Sequence, residues 1–287
     1  MFNPYKEYAM KTMMKQAAAV VALGLAAAGA QAANVLVLLS DEAVLDLKGG
    51  KQFATGFYAN ELMQPVKKLI DAGHTVTFAT PLGRAPALDR LSVDKMHFGN
   101  DEAAMRAHLA LMAQLKITAA DGSPVISLAR VAQQGYARYD AVFVPGGHAP
   151  MQDLVRSPQV GQLLAHFHAT GKPTALVCHG PAALVAAMDQ PGRFVAALEA
   201  GAPAEARQWA YAGYKMTVLS NAEEDMAQAM LGGEMKVTPQ TALQNAGAVY
   251  SNGAAWAPHV VIDRELITGQ NPASAVGVAD ALIAKLK

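Results

Sequence analysis

The chain contains a single cysteine, Cys178, in the stretch ALVCHGPAAL (175–184), and a histidine follows it directly. A thiol with an imidazole beside it is a nucleophile with a base in reach, the pairing that covalent catalysis needs. The flanking residues suggest the geometry. Ala175 to Val177 end an apolar run, and Pro181 suits the first turn of a helix, where its missing N–H would be unpaired anyway. Cys178 therefore falls at a tight strand-to-helix turn, a nucleophile elbow with Cys in place of Ser. The positive end of the following helix would favour thiolate there. The backbone N–H of His179 would point to where an oxyanion forms. A lone cysteine can also be an inert, buried small hydrophobe; its place at this turn, next to His179, argues for chemistry.

Two further segments put polar residues just beyond apolar runs. In VPGGHAP (144–150), Gly146 and Gly147 allow close backbone approach to a bound group, with His148 after them. The N–H of Gly147 is a natural second oxyanion donor, although Gly-Gly also occurs in plain loops. In SNAEED (220–225), Ser220 and Glu223 have capping-box spacing, which gives Glu223 a structural task. Glu224 has no such task. It could hold a histidine in one tautomer, or be a solvated acid at a helix start. Glu61, in TGFYANELMQP, lies one residue off its apolar stripe and reads by pattern as an ordinary helix glutamate. His148, His179 and His259 show no ligand spacing that argues for zinc, so no metal is expected.

These residues need a frame. NVLVLLS (34–40), HTVTFAT (74–80), YDAVFVP (139–145) and PTALV (173–177) are short apolar runs of the kind buried on both faces of a sheet. Helical patterns alternate with them: 56–72 with Gly73 at its C-cap, 157–170 with Ser157 as N-cap and Pro158 in the first turn, and a helix after Pro181. YKMTVLS (214–220) reads as a strand leading into a helix, 259–269 as a hairpin, and ASAVGVADALIAKL as a closing helix. Alternating strands and helices imply an α/β fold: a doubly wound, mainly parallel sheet with helices on both faces, flavodoxin-like. In such sheets ligands bind beyond the carboxyl ends of the strands, where the three polar segments fall. Residues 84–135 are less regular and read as an insertion over one edge.

Lysine plus arginine and aspartate plus glutamate both number 23, which leaves no electrostatic footprint for nucleic acid or an anionic membrane. The N-terminus carries Lys11 and Lys15, an uncharged stretch from Ala17 to Ala30, and small residues at Ala30 and Ala32. This is the pattern of a secretory signal cleaved after Ala32; as a membrane anchor the stretch is short and weakly hydrophobic. The expectation is a periplasmic or secreted protein with one domain, residues 33–287, and no membrane contact after cleavage.

Taken together, TGFYANELMQP, DAGHTVTFATPLG, YDAVFVPGGH, ALVCHGPAAL, TVLSNAEED and LITGQNPASA resemble the ThiJ/PfpI superfamily, which has the class I glutamine amidotransferase-like fold. The resemblance is nearest to its heat-shock-protein-31-like branch, which includes glutathione-independent glyoxalases (glyoxalase III). It implies that Cys178 is the nucleophile, His179 its partner, Glu61 the glutamate that hydrogen-bonds the cysteine and Gly147 the oxyanion glycine. Glu224 matches the third acid by its place after the strand, with Glu223 one residue away. The implied substrate is a small 2-oxoaldehyde, with no cofactor; relatives are often homodimers. Ala149 stands where the family usually has Gly, Gln152 where an aromatic is common, and the 191–214 segment is long and Ala-rich. These departures bear on pocket shape. The resemblance also admits a holdase chaperone, or repair of glycated protein or nucleotide. A redox-sensing thiol is a further reading. A glutaminase is disfavoured, because His259 lacks the acid that its triad requires.

Overall fold

The computed structural model describes residues 32–287. The signal reading of residues 1–32 lies outside the described residues, except for Ala32. From the N-terminal side come β1 (Asn34–Leu38), β2 (Val44–Asp46), β3 (Gln52–Ala54), helix α1 (Ala59–Asp71), β4 (Thr75–Thr80), α2 (Glu102–Gln114), β5 (Ile126–Ser127), α3 (Leu128–Gln134) and β6 (Ala141–Val144). Then follow α4 (Pro158–Ala169), β7 (Thr174–Val177), α5 (Pro191–Glu199), β8 (Lys215–Met216), α6 (Asn221–Leu231), α7 (Pro239–Ala246), β9 (Val249–Tyr250), β10 (Val260–Asp263), β11 (Leu266–Gly269) and α8 (Ala275–Lys285).

Among the described residues, seven strands form the central sheet in the order β10-β11-β7-β6-β1-β4-β5. All neighbours run parallel except the edge pair β10 and β11, the expected hairpin. The continuous apolar runs are explained by burial on both faces. Leu36, Leu38, Val142, Val144 and Leu176 face one core with α4 and α7. Val35, Val37, Ala141, Phe143, Ala175 and Val177 face the other with α1 and α8. This is the flavodoxin-like arrangement that the pattern of elements implies. The parallel pairing of β6 with β7, Val144 opposite Leu176, brings the ends of VPGGH and ALVCH together at one edge.

Two expected elements differ. The segment after Pro181 is a 3-10 helix over Gly180–Ala187, not an α-helix. Its eight residues are all buried, so it has no polar face and is shaped by its neighbours rather than by an amphipathic stripe. Strand 214–220 shrinks to β8, which pairs with β9 in a separate two-stranded sheet. Beyond it, Thr217 N donates to the Thr268 hydroxyl at 2.9 Å and Leu219 N to the Cys178 carbonyl at 3.0 Å, so the chain crosses the end of the sheet instead of joining it. The Ala-rich 191–214 segment has a packing role: Trp209 Nε1 donates to the Leu184 carbonyl at 2.7 Å, and the Tyr211 hydroxyl to the Leu164 carbonyl at 3.1 Å. It clamps the 180–187 turn against α4. No helix of the described residues is long and apolar enough to cross a membrane.

At Gly161, α4 runs close against that turn. A Cβ there would lie 2.1 Å from the Ala186 carbonyl oxygen. Helix propensity alone would reward Gly→Ala by about 1 kcal/mol, but relieving a backbone clash costs roughly 1–3 kcal/mol. Gly161→Ala is therefore expected to lower the urea midpoint. A higher midpoint would show that the two backbones have room to separate.

Candidate active site

Cys178 is placed by backbone constraint. Its φ is +60°, the left-handed region that costs a non-glycine residue roughly 1–3 kcal/mol. Its N–H donates to the Gly269 carbonyl at 2.9 Å and its carbonyl accepts from Leu219 N at 3.0 Å, so neighbours on both sides hold the strained turn. The expected elbow is thus present, followed by a 3-10 helix. Gly146 and Gly147 lie directly beside it. A Cβ on Gly146 would meet Glu61 Oε2 at 2.5 Å and Cys178 Cβ at 2.6 Å; one on Gly147, whose φ is +86°, would meet the Gly56 carbonyl at 2.0 Å. The Gly147 backbone N–H favours the charged form of the Cys178 sulfur, against the larger effect of burial.

The ring of His179 lies against the thiol, with Sγ 3.3 Å from Nδ1. Its Nε2 lies 2.6 Å from Glu224 Oε1. Glu224 is thus the acid that meets His179. Adjacent helix residues point about 100° apart, and Glu223 turns to cap α6. It accepts from Ser220 N at 2.9 Å, Trp256 N at 2.7 Å, Gln270 Nε2 at 3.0 Å and Asn271 Nδ2 at 2.8 Å. Glu61, in the first turn of α1, is fully buried. Its Oε2 accepts from Gly146 N at 2.8 Å, and its Oε1 is buried without a hydrogen-bond partner. His148 packs on His179 with ring centroids 4.2 Å apart. Chain spacing gave no zinc set, yet folding brings ligand atoms of His148, His179 and Glu224 within 4.8 Å of one another, without His259.

The chain matches the DJ-1/PfpI family over residues 52–215, more than half its length. It belongs to the DJ-1/PfpI family. The matched stretch holds Glu61, the Gly146–His148 loop and the Cys178–His179 pair. The chain is 33% identical over 147 residues to "Glutamine amidotransferase-like class 1 domain-containing protein 1" of Bos taurus, a match covering 51% of this chain and 59% of that protein. It therefore spans less than two thirds of that relative's length. It is 28% identical over 244 residues to "Protein/nucleic acid deglycase HchA" of Pseudomonas aeruginosa, covering 83% of this chain and 76% of the relative. The solved structure of glyoxalase III from Candida albicans superposes with a TM-score of 0.65 at 21% identity, over 89% of this chain and 98% of that one, which supports the fold.

Charge in this DJ-1/PfpI site is divided between two sides of the sulfur. Burial pushes Glu61 up to about 8, against the bonds from Cys178 and Gly146. Burial, then the Glu61 carboxyl, push the Cys178 thiol well above its ordinary range. The expected resting thiolate is therefore corrected. The thiol is 4% exposed, desolvation outweighs the dipole of a short 3-10 turn, and the Cys178–Glu61 pair rests uncharged near neutral pH. On the other side, burial opposes ionisation of Glu224, but His179 and His148 hold its carboxyl well below the usual range. Burial, then His148, lower His179, so its ring rests neutral. With the Glu224 carboxylate on Nε2, the ring proton is assigned there and Nδ1 is left as an acceptor facing the thiol.

The cavity over the thiol has a volume of about 30 Å³; its lining includes Tyr58, His148, Leu219, Met230 and Trp256. Pattern reading passed over Tyr58, Leu219, Met230 and Trp256. Trp256 had a signal, a large aromatic in the small-residue loop NGAAWAP. Of the family departures, Gln152 is engaged away from the thiol. Its Oε1 accepts from Asp46 N at 3.0 Å.

Glu61 gives a stability test. Its carboxyl is raised from an ordinary 4.5 to about 8 on folding, so the folded state holds the proton more tightly. That stabilises the fold at low pH and is lost as pH rises from about 4.5 through about 8. Asp153, pushed up to about 7 by burial, adds a fall of the same sign. Glu61→Gln is expected to flatten the decline of Tm over that window, leaving the Asp153 part. An unchanged slope would mean that Glu61 is ionised throughout.

Proposed function

We propose that this protein is a glutathione-independent glyoxalase that converts methylglyoxal and water to lactate through a hemithioacetal on Cys178. The observation that carries the reading is a buried thiol between His179 Nδ1, at 3.3 Å, and the Glu61 carboxyl, inside a cavity of about 30 Å³. The space over the sulfur is narrow and mostly apolar, which suits a small uncharged oxoaldehyde, and the chain's own thiol takes the place of glutathione.

In the first step His179 Nδ1 accepts the thiol proton as sulfur bonds to the aldehyde carbon; Glu224 steadies the imidazolium. The aldehyde oxygen takes a proton and becomes the hemithioacetal hydroxyl, with the Gly147 and His179 backbone N–H groups as candidate donors to it while charged. A base, His179 or the Glu61 carboxyl once it has given its own proton to the aldehyde oxygen, then removes the proton on that carbon. The resulting enediol is reprotonated on the neighbouring carbon, so the first carbon is oxidised to a thioester and the second reduced to an alcohol. Water adds to the thioester, the carbon–sulfur bond breaks, sulfur regains a proton and lactate leaves.

The identity to a protein named a protein/nucleic acid deglycase favours a second reading, in which the same step acts on a hemithioacetal already formed on a larger molecule. The small cavity favours free oxoaldehyde. The redox-sensor reading asks for an exposed, low-pKa thiol, whereas Cys178 is buried and its thiol pushed up.

The test is lactate formation from methylglyoxal, without glutathione, by purified, reduced protein. Cys178→Ala is expected to abolish it, and His179→Ala to lower it by about 10²–10⁴-fold. Folded, reduced wild type that forms no lactate would overturn the reading. The export signal in residues 1–32 belongs to the same proposal. N-terminal sequencing of the protein from the periplasmic fraction is expected to begin at Ala33, and recovery only from the cytoplasm would refute it.

A further inference from the structure

His148 is an odd residue to bury. It is 4% exposed, yet neither ring nitrogen has a hydrogen-bond partner. An orphaned buried polar group costs roughly 1–3 kcal/mol. Glu224 Oε2 is orphaned too, and it lies 3.7 Å from His148 Nε2, beyond hydrogen-bond reach. Across from them His179 Nε2 meets the other oxygen of the same carboxylate. Two imidazole nitrogens and a carboxylate therefore converge, their ligand atoms within 4.8 Å of one another. Phe53 packs edge-on against His148, with ring centroids 5.5 Å apart, and helps to hold that ring in place.

From this geometry we propose that His148, His179 and Glu224 form a binding site for Zn²⁺. Two histidines and a carboxylate are a set that zinc accepts, with a fourth position left for water. The ion would replace the proton on His179 Nε2 and give partners to His148 Nε2 and Glu224 Oε2. The cluster can be reached from two sides. A cavity of about 250 Å³, whose polar lining includes Asp225, Gln228, Thr238 and Thr241, borders Glu224. The cavity over the thiol borders both histidines. Cys178 is not a ligand, since its sulfur lies against the opposite nitrogen of the His179 ring.

Occupancy has a consequence that rests on the glyoxalase reading. With its Nε2 on the metal, His179 keeps its remaining proton on Nδ1 and cannot accept one from the thiol. Zinc would therefore be a reversible inhibitor of turnover, bound at the triad itself.

The test uses purified protein stripped with chelator, titrated with Co²⁺ as a spectroscopic stand-in and separately loaded with Zn²⁺. One Co²⁺ per chain is expected, with ligand-field bands and no thiolate charge-transfer band, in wild type and Cys178→Ala alike. His148→Gln, checked for folding by circular dichroism, should bind at least about tenfold more weakly. X-ray absorption at the zinc edge of the wild type should show imidazole and oxygen scattering without a sulfur shell, a readout that needs no variant. Undiminished affinity in folded His148→Gln, a sulfur ligand, or no stoichiometric binding would overturn the site. Lactate formation by metal-free protein tests the glyoxalase reading separately. If that activity is present and zinc saturates the site without stopping it, the inhibition falls and the site stands. If the metal-free protein is inactive while the metal data hold, the glyoxalase reading falls alone.

Discussion

The site depends on one strained residue held from both sides. Cys178 at φ +60° is tolerable only because its N–H is bonded to Gly269 and its carbonyl to Leu219. The first bond fixes the elbow to β11, the second to the segment that leads into α6. The chain that brings Glu224 is thus tied to the backbone of Cys178. Close contact does the rest. Gly146 leaves just enough room for Glu61 and the Cys178 Cβ, and Gly147 for the Gly56 carbonyl. Side chains at either glycine would push apart the groups that must touch.

The surroundings of the sulfur are electrostatically asymmetric. On one side is a desolvated carboxyl raised toward neutrality; on the other, an ionised carboxylate stabilised through imidazole. Both are glutamates, and environment alone separates them, since Glu61 has a backbone N–H and a thiol for company while Glu224 has two histidine rings. Such a divided pair supplies an acid and a base at one pH. It also means that no charge is stored on the sulfur at rest, which suits its burial.

Much of this was legible in the sequence, for physical reasons. Strands buried on both faces must be continuous apolar runs, so β1, β4, β6 and β7 stand out, and the polar residues that follow β6 and β7 had to gather at their carboxyl ends. Ser220 and Glu223 declared their cap through spacing. What stayed hidden was set by tertiary contact. The 180–187 turn is apolar on every side, so periodicity could not separate 3-10 from α. Glu61 looks like any helix glutamate until Gly146 and Cys178 are beside it; only the family resemblance singled it out. The thiol's resting state followed from burial, which local sequence does not report. The meeting of His148 with Glu224 joins segments far apart along the chain, which no ligand spacing could reveal.

Glu223 draws these parts into one mechanical unit. Its carboxylate joins the cap of α6, the Trp256 backbone and the Gln270–Asn271 segment. Burial works against its charge, but those N–H donors hold its pKa below the ordinary value. The loop that carries the aromatic wall of the cavity is therefore fastened to the residue preceding Glu224. A lineage that reshapes this mouth also tugs on the acid that meets His179. The shape of the mouth and the orientation of His179 share a hinge pin here, so a change in one is expected to leave its mark on the other.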